Sequence, residues 1–165
     1  GDRICITGSN GSGKTSLIRR LLLSLGAEGQ EYLYLPQELS PEDKDYLRNA
    51  YMELGGLKKG ELLSNYSRLN GSPEEITDVL LLSPGEQRKL YIALGLFRST
   101  VCLVLDEPTN HLDLQSRIVM EEALSIYKGA LVLVSHDSAF RAALCSLEWS
   151  IEEGRVFSSF RDKCN

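Results

Sequence analysis

The sequence predicts an α/β fold: a mostly parallel sheet flanked by helices, with a small helical subdomain inserted into it. Three observations carry that prediction. The apolar run at residues 3–7 passes straight into a glycine-rich loop, which passes straight into a helical pattern. A second apolar run, Val101-Cys102-Leu103-Val104-Leu105, delivers two adjacent carboxylates, Asp106 and Glu107, to a proline-containing loop. Between them, residues 39–82 turn polar and helical and are broken by Gly55-Gly56 and Asn70-Gly71. Open α/β sheets bind ligands outside the carboxyl ends of their strands, so the first two observations also locate a site.

Each element has a local reason. Residues 3–7 read as a short strand and residues 14–25 as a helix, with Gly26 as its C′ stop. Residues 32–35 form a second strand ending at Pro36-Gln37, so the three alternate as a βαβ unit should. Helical stretches are expected near residues 42–54 and 58–65. The next helix starts at Ser83-Pro84-Gly85-Glu86: Ser83 suits the N-cap, Pro84 the first helical position, and Glu86 completes a capping box. Leu90, Ile92, Ala93, Leu94, Leu96 and Phe97 make this helix apolar nearly all round, which predicts burial. A strand at 101–105, a helix at 114–127, a strand at 130–135, a short helix at 138–144 and a hairpin around Glu153-Gly154 follow. Residues 1–37 and 100–165 are thus expected to form the core of a single domain, and residues 38–99 its helical subdomain.

Composition narrows the class. The 165 residues suit one domain with a real core. A hydrophobic share of 42% and a charged share of 25% are ordinary for a globular protein. The net charge of -5 argues against a broad nucleic-acid-binding face, while leaving room for a local basic patch. No apolar run is long enough to span a bilayer and no signal-peptide pattern precedes the first strand, so a cytoplasmic setting is expected. The cysteines, Cys5, Cys102, Cys145 and Cys164, form no CxxC pair, which argues against a zinc site. Cys5 and Cys102 fall inside apolar strands and read as small buried hydrophobes in a reducing compartment.

The glycine-rich loop, Gly8-Ser9-Asn10-Gly11-Ser12-Gly13-Lys14-Thr15, matches GxxxxGK[ST], the P-loop pattern. Its glycines let successive backbone N–H groups turn inward around phosphate oxygens. The helix that follows adds its positive N-terminal dipole. Lys14 is expected to reach the β- and γ-phosphates of a nucleoside triphosphate, and the Thr15 hydroxyl to ligate Mg²⁺. Ser16, next on the helix, belongs with this phosphate-binding set. Asp106 is expected to hold Mg²⁺ through water. Glu107, one residue on, points differently and is the candidate general base for the attacking water. Gln37 taken alone reads as a surface loop residue. Its place between the P-loop and the helical insertion makes its amide a candidate to touch both Mg²⁺ and the attacking water. His136 follows a strand as Ser-His-Asp and is a candidate partner of the γ-phosphate, whereas His111 sits in a polar turn past the carboxylates. Ser83 and Gly85 open a helix N-terminus, a ready anion site, though nothing local says which phosphate they meet.

In this order the motifs resemble an ATP-binding cassette (ABC) nucleotide-binding domain over essentially the whole chain. The matched parts are the Walker A loop at residues 8–15, the Q-loop at Gln37 and the signature Leu82-Ser83-Pro84-Gly85-Glu86. Walker B ends in Asp106-Glu107, the D-loop centres on Leu112-Asp113 and the switch histidine is His136. The run Glu107-Pro108-Thr109-Asn110-His111-Leu112-Asp113 most resembles the ABC-F branch, and Glu86, where many transporters have Gln, fits that branch. ABC-F members carry two cassettes in one chain and no transmembrane domain, and many act on the ribosome.

The resemblance implies ATP and Mg²⁺ as cofactors and a second cassette as partner, in the same chain or as a homodimer. Two cassettes would close head to tail, with Ser83 and Gly85 of one on the γ-phosphate held by the P-loop of the other. The alternative it leaves open is the ATP-binding subunit of a membrane transporter, with a membrane subunit as partner. A chromosome-maintenance ATPase is disfavoured, because the span from Gln37 to Ser83 is too short for a long coiled coil. Two departures from the pattern stand out. Pro84 replaces the first glycine of the signature pair and removes one N–H. The family's β-hairpin before the P-loop strand, with its adenine-stacking aromatic, has no counterpart after Gly1, so a fragment with weak adenine recognition and an exposed sheet edge is expected.

Overall fold

The computed structural model describes residues 1–98 and 100–160; Cys164 lies outside them. In chain order the elements are β1 (Arg3–Gly8), α1 (Lys14–Ala27), β2 (Tyr32–Leu35), α2 (Pro41–Glu53), α3 (Gly56–Arg68), α4 (Pro84–Arg98), β3 (Cys102–Asp106), α5 (Leu114–Ser125), β4 (Ala130–Val134), α6 (Ser138–Leu144), β5 (Leu147–Glu152) and β6 (Arg155–Phe160). Two 3₁₀ turns, Pro73–Glu75 and Val79–Leu81, precede α4. The chain packs as two compact units. One comprises the described residues of Gly1–Tyr34, Thr100–Pro108 and Lys128–Asn165; the other those of Leu35–Ser99 and Thr109–Tyr127.

The sheet runs in the order β2-β3-β4-β1-β5-β6. β4 pairs in parallel with both β1 and β3, β1 pairs in parallel with β5, and the β5–β6 hairpin is antiparallel. Glu153 (φ 47°) and Gly154 (φ 74°) turn that hairpin in the left-handed region, as a two-residue turn between twisted strands requires. β1 and β2 flank α1 in sequence but are not neighbours; β3 and β4 lie between them. Strands buried on both faces read as continuous apolar runs, and β3 is buried at all of its positions. Alternate residues of the strands, Ile4, Ile6, Val104, Val132 and Val134, pack with Ile18 of α1, and Leu17, Leu21, Leu22 and Leu25 extend that helical stripe. Each such side chain, once fully buried, stabilises the fold by roughly 1.5–3 kcal/mol relative to exposure.

α1 runs through Gly26 rather than stopping there. Its stop is Gly29 (φ 68°), with Gln30 N donating to Leu25 O at 2.9 Å and Gly29 N to Gly26 O at 3.1 Å. These bonds form a Schellman closure, which needs a left-handed residue one place beyond the cap; Gly29 occupies that place and Gly26 does not.

In the second unit, α2 starts at a complete capping box, with Asp43 N on Ser40 Oγ and Ser40 N on Asp43 Oδ2. α3 packs on α4, with Leu62 and Tyr66 of α3 and Leu90, Ile92 and Leu94 of α4 fully buried. Burial of α4 extends to its polar residues Gln87, Arg88 and Lys89, which its apolar pattern did not foretell. Ser83 Oγ accepts the Glu86 N–H at 3.2 Å, so the cap is made. The Glu86 carboxylate is engaged elsewhere: it accepts from the Tyr66 hydroxyl and, at 2.7 Å, from Lys89 Nζ. The capping box is therefore only half formed.

Candidate active site

The site of the first unit is built by strand register. Val134 of β4 lies opposite Asp106 of β3 on one side and Ile6 of β1 on the other. The loops after β1, β3 and β4 therefore leave one edge of the sheet at one level, bringing residues distant in sequence to a common point. A cavity of about 230 Å³ opens there, lined by Ile6, Thr7, Gly8, Lys14, Glu107, Val134, Ser135, His136 and Arg141.

The loop after β1 has the backbone its motif demands. Gly8, Gly11 and Gly13 have φ of 149°, 80° and 105°. A Cβ on Gly8 would lie 2.5 Å from Ser12 Oγ and 3.0 Å from Ile151 O, so both conformation and space require glycine. Gly13 is the N-cap of α1 and supplies no side chain to that helix end, leaving the first N–H groups to an incoming acceptor. Lys14 Nζ donates to Gly8 O at 2.9 Å and Ser9 O at 3.0 Å, which keeps the ammonium over the loop. Thr15 and Ser16, in the first turn of α1, are exposed.

At the end of β3, Asp106 and Glu107 are 9% and 6% exposed. Glu107 has φ 49°, a conformation that costs an L-residue of order 1 kcal/mol and that clusters at functional sites. It is held there because its N–H donates to Val134 O at 2.8 Å and its Oε2 accepts the His136 N–H at 3.2 Å. The largely exposed His136 imidazole places Nε2 3.5 Å from Glu107 Oε1. A buried carboxylate beside an imidazole, next to the glycine loop, is an arrangement able to take a proton from water and meet a phosphoryl oxygen.

Gln37, Ser83, Gly85 and Asp113 belong to the second unit. Gln37 and Ser83 are exposed. Arg88 of α4 donates to Gln37 O at 2.7 Å and Pro36 O at 3.3 Å, tying the backbone at Gln37 to α4. A cavity of about 240 Å³ there is lined by residues that include Gln37, Pro84, Arg88 and His111. Gly85 is buried against the turn after residue 109: a Cβ on it would stand 2.8 Å from His111 O. Asp113 caps α5 by accepting Ser116 N–H at 2.7 Å and Ser116 Oγ–H at 3.0 Å. Those two bonds, the backbone one first, hold its carboxyl below the usual carboxylate range. Arg141 and Ser135 were not singled out in the sequence. The only hint was one arginine within the otherwise apolar stretch Ala139-Phe140-Arg141-Ala142-Ala143-Leu144.

The fold and this geometry define a nucleotide-binding domain of the P-loop class. The sequence model for the family described as ABC transporter matches residues 1–110, more than half of the chain. The chain belongs to that family. It is 35% identical over 155 residues to the ribosome protection protein VmlR of Bacillus subtilis, an alignment covering 85% of this chain and 27% of that protein. It is 30% identical over 167 residues to ABC transporter F family member 5 of Arabidopsis thaliana, covering 93% of this chain and 24% of that protein. The chain thus spans about a quarter of the length of these relatives, and the ABC-F resemblance read from residues 107–113 agrees with them. Among solved structures, a dimeric ATP-binding cassette in a post-hydrolysis state bound to ADP and Pi superposes with a TM-score of 0.72 at 17% identity, covering 96% of this chain and 85% of that one. That likeness bears out the α/β fold with a mostly parallel sheet. No helix among the described residues is long and apolar enough to cross a membrane.

Proposed function

We propose that this chain is an ATP-binding and ATP-hydrolysing cassette that works against a second cassette in an ABC-F protein acting on the ribosome. The observation that carries the reading is the gathering of Lys14, Glu107 and His136 around one cavity at the carboxyl edge of the parallel strands. The turned-in glycine loop and Lys14 are fitted to triphosphate oxygens, with Gly8, Ser9, Asn10, Gly11, Ser12, Gly13, Thr15 and Ser16 around them. Glu107 acts as base: a water oxygen bonds to the γ-phosphorus, its proton passes to the Glu107 carboxylate, and the bond from that phosphorus to the β,γ-bridging oxygen breaks. His136 steadies the γ-phosphoryl oxygens.

No group of three or more His, Cys, Asp or Glu gathers to hold a metal among the described residues. Within the first unit, the Thr15 hydroxyl in the first turn of α1 and the Asp106 carboxylate at the end of β3 are the donors that would hold Mg²⁺, an ion that keeps several waters and rests chiefly on substrate phosphates. The ion would neutralise charge on the phosphates. Ser83 and Gly85 are assigned to the nucleotide of the opposing cassette, a second copy or a second domain of the same protein. Pro84 has no N–H, so that contact falls to the Ser83 hydroxyl and the remaining backbone donors.

Replacing Glu107 with Gln tests the chemistry. ATP binding is expected to persist while turnover falls about 100-fold or more, the contribution of a positioned general base. Unchanged hydrolysis in the full natural protein removes Glu107 from that role. The ribosomal role is supported by the run at residues 107–113 and by a relative named as a ribosome protection protein. Under that role the Glu107→Gln protein co-sediments with ribosomes in ATP and not in ADP. Co-purification with a membrane-spanning subunit instead favours the transporter reading.

A further inference from the structure

Arg141 is a cation in the active-site cavity that neither the P-loop nor the carboxylate pair explains. It lies on α6 and lines the cavity with Lys14, Glu107 and His136. Its Nη1 donates to the carbonyl oxygen of Ser135, the residue before His136. Ser135 is itself buried, and its hydroxyl accepts the Asp137 N–H at 3.1 Å. Asp137 caps α6 by accepting the Phe140 N–H at 3.0 Å. The turn between β4 and α6 is thus tied on both sides of His136. From that turn the His136 backbone N–H reaches Glu107 Oε2 at 3.2 Å, and its imidazole stands 3.5 Å from Oε1. Among the described residues, Arg141 Nε is buried without a hydrogen-bond partner. Leaving a buried guanidinium donor unsatisfied is costly, and such a group calls for an explanation beyond packing.

We propose that Arg141 is a positioning residue for hydrolysis: by holding the Ser135 carbonyl it fixes the turn that sets His136 against the Glu107 carboxylate. The inference rests on the hydrolytic reading above and adds a residue to it. Arg141 acts through its neighbours, so its loss affects the rate at which bound ATP is split and spares the affinity for ATP. Lysine cannot replace it fully, because an ammonium keeps the charge but lacks the planar fork.

The test uses the full natural protein, with ATP affinity measured by calorimetry and hydrolysis of bound ATP measured in a single turnover. Arg141→Ala is expected to slow the single turnover about tenfold or more, as small misplacements at a reacting centre do, with the Kd for ATP changed less than about twofold. Arg141→Lys recovers part of the rate. In the His136→Ala background, Arg141→Ala costs nothing further, since groups acting as one unit are non-additive; a merely structural loss multiplies. A wild-type rate in Arg141→Ala overturns the inference. So does an affinity loss with bound ATP split at the normal rate, which makes Arg141 a phosphate anchor, and so do multiplying losses in the double variant. If Arg141→Ala does not fold, Arg141→Lys decides: a full rate overturns the inference, and a reduced rate at unchanged affinity upholds it. A wild-type protein that splits no ATP overturns the functional reading along with this inference; an active wild type with an indifferent Arg141→Ala overturns this inference alone.

Discussion

Gly85 and Gly60 show how differently one residue type is used within a single unit. Both lie in helices, where alanine is intrinsically better by about 0.5–1 kcal/mol. A Cβ on Gly60 meets nothing within 4 Å, whereas a Cβ on Gly85 meets the His111 carbonyl at 2.8 Å. Backbone cannot swing aside as a flexible side chain can. Gly60→Ala is therefore expected to raise stability by about 0.5 kcal/mol and Gly85→Ala to lower it by about 1–3 kcal/mol, read as opposite shifts in the urea midpoint. A midpoint unmoved in Gly85→Ala contradicts the close approach. Glu107 likewise owes its conformation to its neighbours. Its motif names the residue, but its left-handed backbone is a consequence of two hydrogen bonds, one to Val134 and one from His136.

At the scale of elements, α3 and α4 are joined by a polar contact that neither helix announces. The Tyr66 hydroxyl donates to Glu86, and Lys89 Nζ bridges Glu86 and Asn70 O. Gly71 fits this arrangement because a Cβ there would run into the Tyr66 ring. Burial, reinforced by the Glu86 carboxylate, pushes the Tyr66 phenol well above its ordinary range. An acid whose pKa rises on folding favours the folded state only while it is neutral. That contribution is whole below the ordinary phenol pKa of about 10 and declines as the pH rises beyond it. Tyr66→Phe is expected to cost about 1 kcal/mol at neutral pH and to make the alkaline fall in stability shallower, measured by urea unfolding between about pH 8 and pH 11. The fall should not vanish, because burial also raises Tyr91 and pushes Cys102 up to about 11. An identical alkaline slope in the variant rules Tyr66 out as a source. Glu86 is legible as a helix-start residue from four adjacent positions. Its partner Tyr66 is 20 residues away, and no local pattern selects it.

For the whole molecule, binding at the P-loop couples to folding, since the loop conformation exists only in the folded state. ATP at about 100 times its Kd should add about 2.7 kcal/mol of stability, seen as a rise in Tm. Lys14→Ala should abolish most of that rise. A Tm indifferent to ATP in the wild-type protein speaks against a nucleotide site here. The P-loop, the Asp106-Glu107 pair and the Ser83 cap were legible because each is a contiguous stretch whose chemistry and backbone are set by near neighbours. The fold class followed from apolar runs of strand length alternating with helical patterns.

Residue identity alone determined where the phosphate loop turns, because only glycine takes the φ values found at Gly8, Gly11 and Gly13 without penalty. It also determined that two carboxylates follow a buried strand. Tertiary structure decided the rest. The order β3-β4-β1 puts Val134 between Asp106 and Ile6, and only that pairing brings residues 8–15, Glu107 and His136 to one edge. Strand order is a choice among long-range hydrogen-bonded partners of nearly equal local propensity, so it is settled by packing across the whole sheet. Arg141 entered the site by the same route: its place beside His136 depends on how α6 returns to β4, and no short-range pattern encodes that return.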